Sequence, residues 1–222
     1  MHYPVNEVFE TIQGEGFFTG VPAIFIRLQG CPVGCAWCDT QHTWEKLPKN
    51  KVTQEQVIQV DGTVGRWCDM EPEALISQLQ AKGFTAKHVV ITGGEPCMYD
   101  LKQLTSELES AGYQCQIETS GTFEVNCSDR TWVTVSPKVN MRAGMEVRGD
   151  ALQRADEIKH PVAIMRHVEE LDALLENIDI TNKVMCLQPI SQKPRATELA
   201  MRTCIDRNWR LSIQTHKYLA ID

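Results

Sequence analysis

No stretch of this 222-residue chain approaches the ~18–20 consecutive apolar residues that a membrane-spanning helix needs. The N-terminal MHYPVNEVFE lacks a basic segment followed by an apolar one, so no secretory signal is read there. Both absences lead to the expectation of a cytoplasmic protein with no membrane partner. Basic residues are in deficit: 22 Lys and Arg against 29 Asp and Glu leave a net charge of −7. Phosphate contacts dominate nucleic-acid affinity, so this balance argues against a large direct nucleic-acid surface. A local basic site for a small anion remains compatible with it. Tandem repeats are absent, as is any linker rich in Pro, Gly or Ser. A single domain over 1–222 is therefore expected, interrupted by a polar insertion or long loop at about 45–70.

Cysteine, in contrast, is plentiful, with nine residues. In a reducing compartment thiols serve metals, catalysis or packing before disulfides. Cys31, Cys35 and Cys38 form a C-x3-C-x2-C pattern on a loop with Gly30, Pro32 and Gly34. Three thiolates at that spacing suit one face of a [4Fe–4S] cluster, leaving one iron open for an exchangeable ligand. Structural zinc is the alternative, with His42 or a distant cysteine completing a tetrahedron. No second C-x2-C or H-x3-H accompanies the triplet. Cys115 and Cys186 sit in strand patterns and read as core fillers. Cys97 is the one other cysteine with a position suggestive of function.

Apolar runs at 23–28, 88–92, 114–118, 132–136, 184–187 and 210–214 read as strands, with a weaker candidate at 156–159. Helical periodicity lies between them, at 72–82, 101–111, 168–178 and 195–207. Alternation of the two favours parallel βαβ units. Polar clusters follow the strands: Thr92-Gly93-Gly94-Glu95-Pro96, Glu118-Thr119-Ser120-Gly121, Ser136-Pro137-Lys138, Gln188-Pro189 and Gln214-Thr215-His216. In parallel sheets and barrels that edge binds ligands. Gln13 and Glu15 on a Gly-rich stretch offer hydrogen-bonding groups suited to the edge of a pterin or purine-like ring. Arg27 can fork onto a ligand carboxylate or sit in a surface ion pair.

The cysteine triplet, with Trp37 just before its third member, resembles the radical S-adenosylmethionine (SAM) superfamily. Gly93-Gly94-Glu95-Pro96 is similar to the GGEP motif of that superfamily. The resemblance implies an incomplete (β/α) barrel of about six parallel strands. It implies that Cys31, Cys35 and Cys38 ligate a [4Fe–4S] cluster whose open iron chelates SAM. Gly94 and its backbone would then meet the SAM ammonium, with Glu95 shaping the turn. Trp37, Cys38 and Asp39 would line the adenine side, and Ser136, Pro137, Lys138 and Gln188 would complete the SAM site.

The stretches FETIQGEG, FIRLQGCPVGCAWCDT, VVITGGEP, IETSGT, VSPK, LQPI and IQTHKYL narrow the resemblance. Together they are similar to the radical SAM enzymes that build the 7-deazapurine ring in queuosine biosynthesis, a tRNA modification pathway. This implies the substrate 6-carboxy-5,6,7,8-tetrahydropterin and a radical ring contraction with loss of ammonia. Ile12, Gln13, Gly14, Glu15, Arg27, Thr92 and His216 would then contact substrate. Thr40 would ligate Mg2+ together with waters and the substrate carboxylate. A homodimer and an external one-electron donor such as flavodoxin are further implications. A rival with the same cysteine spacing is an activating enzyme for a glycyl-radical protein.

Overall fold

The computed structural model of the protein describes residues 1–58 and 64–219. Among the described residues, nine strands form one sheet: β1 (Tyr3–Ile12), β2 (Pro22–Leu28), β3 (Cys68–Met70), β4 (His88–Gly93) and β5 (Gln114–Thr119), then β6 (Trp132–Val135), β7 (Glu157–Val162), β8 (Val184–Pro189) and β9 (Arg210–Leu211). Their order is β3-β1-β2-β4-β5-β6-β7-β8-β9. β1 pairs antiparallel with both β2 and β3. From β2 through β9 every pairing is parallel, so the sheet is mostly parallel.

The helices are α1 (Gln54–Ile58), α2 (Pro72–Ala81), α3 (Lys102–Ser110), α4 (Gly149–Arg154), α5 (Met165–Leu175), α6 (Pro194–Arg207) and α7 (Thr215–Leu219). α3 packs on β5, α5 on β7 and α6 on β8. Leu104 and Leu108 of α3 are fully buried, as are Val168 and Leu171 of α5. They meet Ile26, Val89, Ile91, Ile117 and Ile158 from one face of the sheet. Removing a side chain of that size from water is worth about 1.5–3 kcal/mol.

Successive strand residues point to opposite faces, so the other face is read from the alternate positions. It carries Gln116 and Glu118 of β5, Thr134 of β6, and Glu157 and Lys159 of β7. One face of the sheet is therefore apolar beneath helices, and the other is polar and equally enclosed. The β1–β2 loop turns into this polar side. Phe17 stacks on Trp132 with centroids 4.8 Å apart, and Phe18 tilts against His88 at 4.3 Å. Gly16 takes a left-handed φ of +68°, and a side chain there would meet the Glu157 carboxylate.

Residues 45–70 are the segment read as a polar insertion or long loop. They contain α1, a bridge between Lys51 and Trp67, and β3, which extends the sheet beyond β1. Residues 59–63 of that segment lie outside the described residues. A three-residue strand is too short to show a period, which is why its pattern is mute. The expected strand at 210–214 ends at Leu211, and 215–219 is helical.

Candidate active site

At the C-terminal strand ends the chain after β2 forms the cysteine loop. Gln29 anchors it from below. Its Nε2 donates to the carbonyls of His42 and Glu45 at 3.0 and 2.8 Å. Its Oε1 accepts from Asn6 Nδ2 at 2.7 Å. The main chain closes the loop on itself, Gly30 N–H to Thr43 O and Cys31 N–H to Trp44 O. Cys31, Cys35 and Cys38 are free thiols that line one cavity of about 240 Å3. Burial pushes the Cys31 thiol up to about 11. It also raises Cys35, against the opposing charge of Lys138.

Among the described residues, no three His, Cys, Asp or Glu side chains gather closely enough to hold one metal ion. A single zinc ion needs such a gathering. A cuboidal cluster does not, because each cysteine binds a different iron. The donor set therefore fits the cluster: three thiols facing one cavity, each able to meet its own iron.

The Gly93-Gly94-Glu95-Pro96 turn is stitched to the same loop. Gly94 N–H donates to Leu28 O at 2.7 Å and Glu95 N–H to Gly30 O at 2.8 Å. A Cβ on Gly94 would fall on the Gly30 carbonyl, so only glycine permits this approach. An ammonium group donates, so at Gly94 only carbonyl oxygen can meet it. Glu95 is buried, and its carboxylate accepts from Cys97 N–H at 3.0 Å, Thr119 Oγ1 at 2.6 Å and Ser120 N–H at 2.8 Å, besides Ser120 Oγ. It fastens the end of β4 to the end of β5.

Trp37, Asp39, Thr40, Thr92, Ser136, Lys138 and Gln188 line the same cavity. Lys138 Nζ donates to Ser136 Oγ at 2.6 Å, and burial pulls the lysine below its ordinary value. Thr40 Oγ1 lies 3.6 Å from Cys38 Sγ and 3.4 Å from Gly93 O.

The floor of the cavity is charged. Lys159 Nζ donates to Glu15 Oε2 at 2.8 Å and to Glu118 Oε1 at 3.0 Å, and all three line the cavity. Burial opposes the charge on Glu15, but Lys159 and Gln214 outweigh it and hold its carboxyl at about 2. For Glu118 burial dominates; with Glu157 and Glu15 nearby it prevails over Lys159 and lifts the carboxyl to about 7. Lys159 itself resists burial because Glu118, Glu15 and Glu157 surround it, and it stands above its ordinary value.

Other expected residues are placed differently. Pro137 is buried and, like Ile12, Gln13, Gly14, Arg27 and His216, does not line this cavity. Gln13 lies buried beneath the floor, donating to Gln116 Oε1 at 3.3 Å. Gly14 backs onto His216, and its carbonyl accepts from Thr215 N–H at 2.9 Å. Ile12 ends β1 at the sheet's opposite edge, paired with Pro22. Arg27 pairs with Glu7, Nε to Oε1 at 2.7 Å, and lies over Phe9 and Phe25. Cys97 is buried among the core residues and does not line the cavity.

Lys159, Trp44 and Lys217 belong to the cavity without having been singled out from sequence, and Glu118 and Gln214 stood out there only as members of polar strand-end clusters. For Lys159 a signal existed. A lysine inside a buried strand is stable only with a paired anion, so its presence there demands partners.

A mostly parallel α/β sheet, with three thiols and a Gly-Gly-Glu-Pro turn converging at its C-terminal edge, defines an enzyme of radical SAM type. Comparison with known proteins makes the class specific. The chain is 60% identical to 7-carboxy-7-deazaguanine synthase of Escherichia coli K12 over the full length of both. It is 47% identical to the synthase of Buchnera aphidicola, again over both full chains. With that of Synechocystis sp. it shares 34% identity, covering 99% of this chain and 93% of the relative. The crystal structure of QueE from Escherichia coli superposes with a TM-score of 0.94 at 59% identity, covering 97% of this chain and 95% of that one. No family model matches. The chain belongs to the 7-carboxy-7-deazaguanine synthase family. A glycyl-radical activating enzyme is accordingly not favoured.

Proposed function

We propose that this protein makes 7-carboxy-7-deazaguanine from 6-carboxy-5,6,7,8-tetrahydropterin by radical ring contraction with loss of ammonia, within queuosine biosynthesis. One observation carries the reading: Cys31, Cys35, Cys38, the Gly94–Glu95 turn and the Glu15–Lys159–Glu118 floor all open onto one cavity. Cys31, Cys35 and Cys38 would hold a [4Fe–4S] cluster, which together with SAM would supply the radical chemistry. The chain does the rest. Trp37 and Asp39 flank the adenine, carbonyls of the Gly93-Gly94 turn accept from the SAM ammonium, and Ser136, Lys138 and Gln188 close the opposite wall. Glu95 acts by holding the turn rather than by touching a ligand.

Thr40 ligates Mg2+ in this reading. Among the described residues, Gly93 O is the one protein oxygen hydrogen-bonded to its hydroxyl. Since Mg2+ demands six oxygens, waters and the substrate carboxylate would supply most of them. The Arg27–Glu7 pair uses Nε, which leaves the terminal guanidinium nitrogens for that carboxylate. Thr92 shares a register position with Arg27 on the neighbouring strand and faces the same side. Ile12, Gln13, Gly14 and His216, from the end of β1, the start of the β1–β2 loop and α7, are further substrate contacts in this reading.

The reading extends to the whole molecule. The parallel strands form an incomplete barrel and the chain a single domain. It works as a cytoplasmic homodimer that takes electrons one at a time from a donor such as flavodoxin and meets no nucleic acid directly. The test is anaerobic incubation of the iron-loaded protein with SAM, a reductant and 6-carboxy-5,6,7,8-tetrahydropterin. Formation of 7-carboxy-7-deazaguanine is expected. An intact cluster that cleaves SAM but yields no deazapurine would overturn the assignment.

A further inference from the structure

We propose that Lys159 is a positioning residue for ring selection: it holds Glu15 and Glu118 side by side on the cavity floor as paired acceptors for the N–H edge of a flat bicyclic ligand. The proposal rests on the pterin assignment above and deepens it.

Lys159 sits in β7 with its side chain 4% exposed. A cation so buried is retained only when its donors are matched. Its ammonium spans two carboxylates that come from distant parts of the chain, the β1–β2 loop and the end of β5. Each carboxylate is also held from a second side. Gln214 Nε2 donates to Glu15 Oε1 at 2.8 Å, and Gln116 Nε2 donates to Glu118 Oε1 at 3.1 Å. Gln116 is held in turn, its Oε1 meeting His88 Nε2 at 2.8 Å and its Nε2 also donating to Thr134 Oγ1 at 3.1 Å. Both carboxylates are thus fixed in place, with lone pairs left over.

Glu15, Glu118 and Glu157 surround the ammonium of Lys159, while Lys138 lies on the same cavity wall and donates to Ser136 Oγ; Glu157 is occupied by Phe17 N–H and Thr134 Oγ1. The part of the floor that faces the cavity is therefore rich in acceptors. A ligand that satisfies it must bring N–H donors. The 2-amino and N3–H groups of a pterin form a planar donor pair, which a carboxylate accepts as it accepts a guanidinium. A lumazine, with a 2-oxo group in place of the 2-amino group, sets acceptor against acceptor, and unpaired buried polar groups of this kind are what sites discriminate by.

The experiment measures fluorescence quenching of 6-carboxypterin and 6-carboxylumazine on binding to anaerobically prepared, cluster-loaded protein at about pH 7.5, where the Glu118 carboxyl, lifted to about 7, is mostly ionised. The two differ at the 2-position of the edge proposed to meet the floor and share the rest of the ring, and neither requires turnover. Wild type is expected to favour the pterin by roughly tenfold or more, the value of one charge-assisted hydrogen bond. Lys159→Arg should keep that preference. Lys159→Met alone strands buried carboxylates, so the decisive variant pairs it with Glu118→Gln, which removes one charge of each sign. This double variant should keep its cluster absorbance and Tm while its preference falls to within about twofold, the floor having lost one of its two charge-assisted acceptors. A double variant that keeps the wild-type preference, or weakens for both rings equally, would overturn the proposal. Failure of the wild type to bind either ring would overturn the pterin assignment first, before any substitution is made.

Discussion

The Glu95 carboxylate accepts a hydrogen bond from the main-chain N–H of Ser120 at 2.8 Å, so one buried side chain ties the ends of β4 and β5. The turn that faces the cysteines is thereby set by a neighbouring strand. Glu95→Gln places an amide N–H2 where several donors converge. It should lower stability by about 1–3 kcal/mol, the cost of unmatched buried donors. Urea unfolding with an unchanged m-value checks this. A variant as stable as wild type would show that Glu95 does not clamp the strands.

Gly94→Ala probes the same junction from the backbone side. Its Cβ would collide with the carbonyl of Gly30, which belongs to the main chain and cannot swing aside. The turn and the cysteine loop should separate. The expected outcome is loss of SAM binding, read by equilibrium dialysis, with far-UV circular dichroism retained. Unchanged SAM affinity would count against the stitched turn.

Among nine cysteines, those facing the cavity should behave differently from those in the core. Cys35→Ala should abolish the iron–sulfur absorbance near 400 nm and all turnover, whereas Cys115→Ala should leave both intact. Cys115 is instead buried in the apolar core, and shortening it should cost only about 1 kcal/mol of stability. Retained absorbance in Cys35→Ala would remove it from the ligand set.

Stability should respond to pH from both sides of the ordinary glutamate value of 4.5. Glu15 lies below that value in the folded state, so its contribution is present above pH 4.5 and is lost as pH falls toward about 2. Glu118 lies above it, so its contribution is present below pH 4.5 and is lost as pH rises through about 7. Glu118→Gln should therefore flatten the decline between pH 4.5 and 7 while leaving the acid limb in place. Chemical denaturation at a series of pH values measures both limbs. A variant whose upper limb still falls would assign that limb to another group.

The parallel strands and their helices were legible because each buries a repeating apolar pattern. Leu101, Leu104, Leu108 and Ala111 mark α3 by spacing alone. The cysteine loop and the Gly-Gly-Glu-Pro turn were equally plain, since their chemistry is compressed into a few consecutive positions. β1 and β3 escaped notice. β1 is buried along most of its length and shows no clean alternation, and β3 is too short for a period to register. Arg27 was ambiguous for a different reason: a guanidinium that forks onto a ligand and one that pairs with Glu7 look identical in one dimension.

The sequence by itself determined which atoms could meet a metal cluster and which segments would pack, because both depend on residues close together along the chain. Only the tertiary structure decided that Glu15, Glu118 and Lys159 form one floor. Those residues are separated by |i−j| of 144 and 41 from Lys159, and no local pattern encodes a distance of that kind. Their meeting depends on the parallel register that sets β5, β6 and β7 side by side, and on a loop folded into the polar face they share.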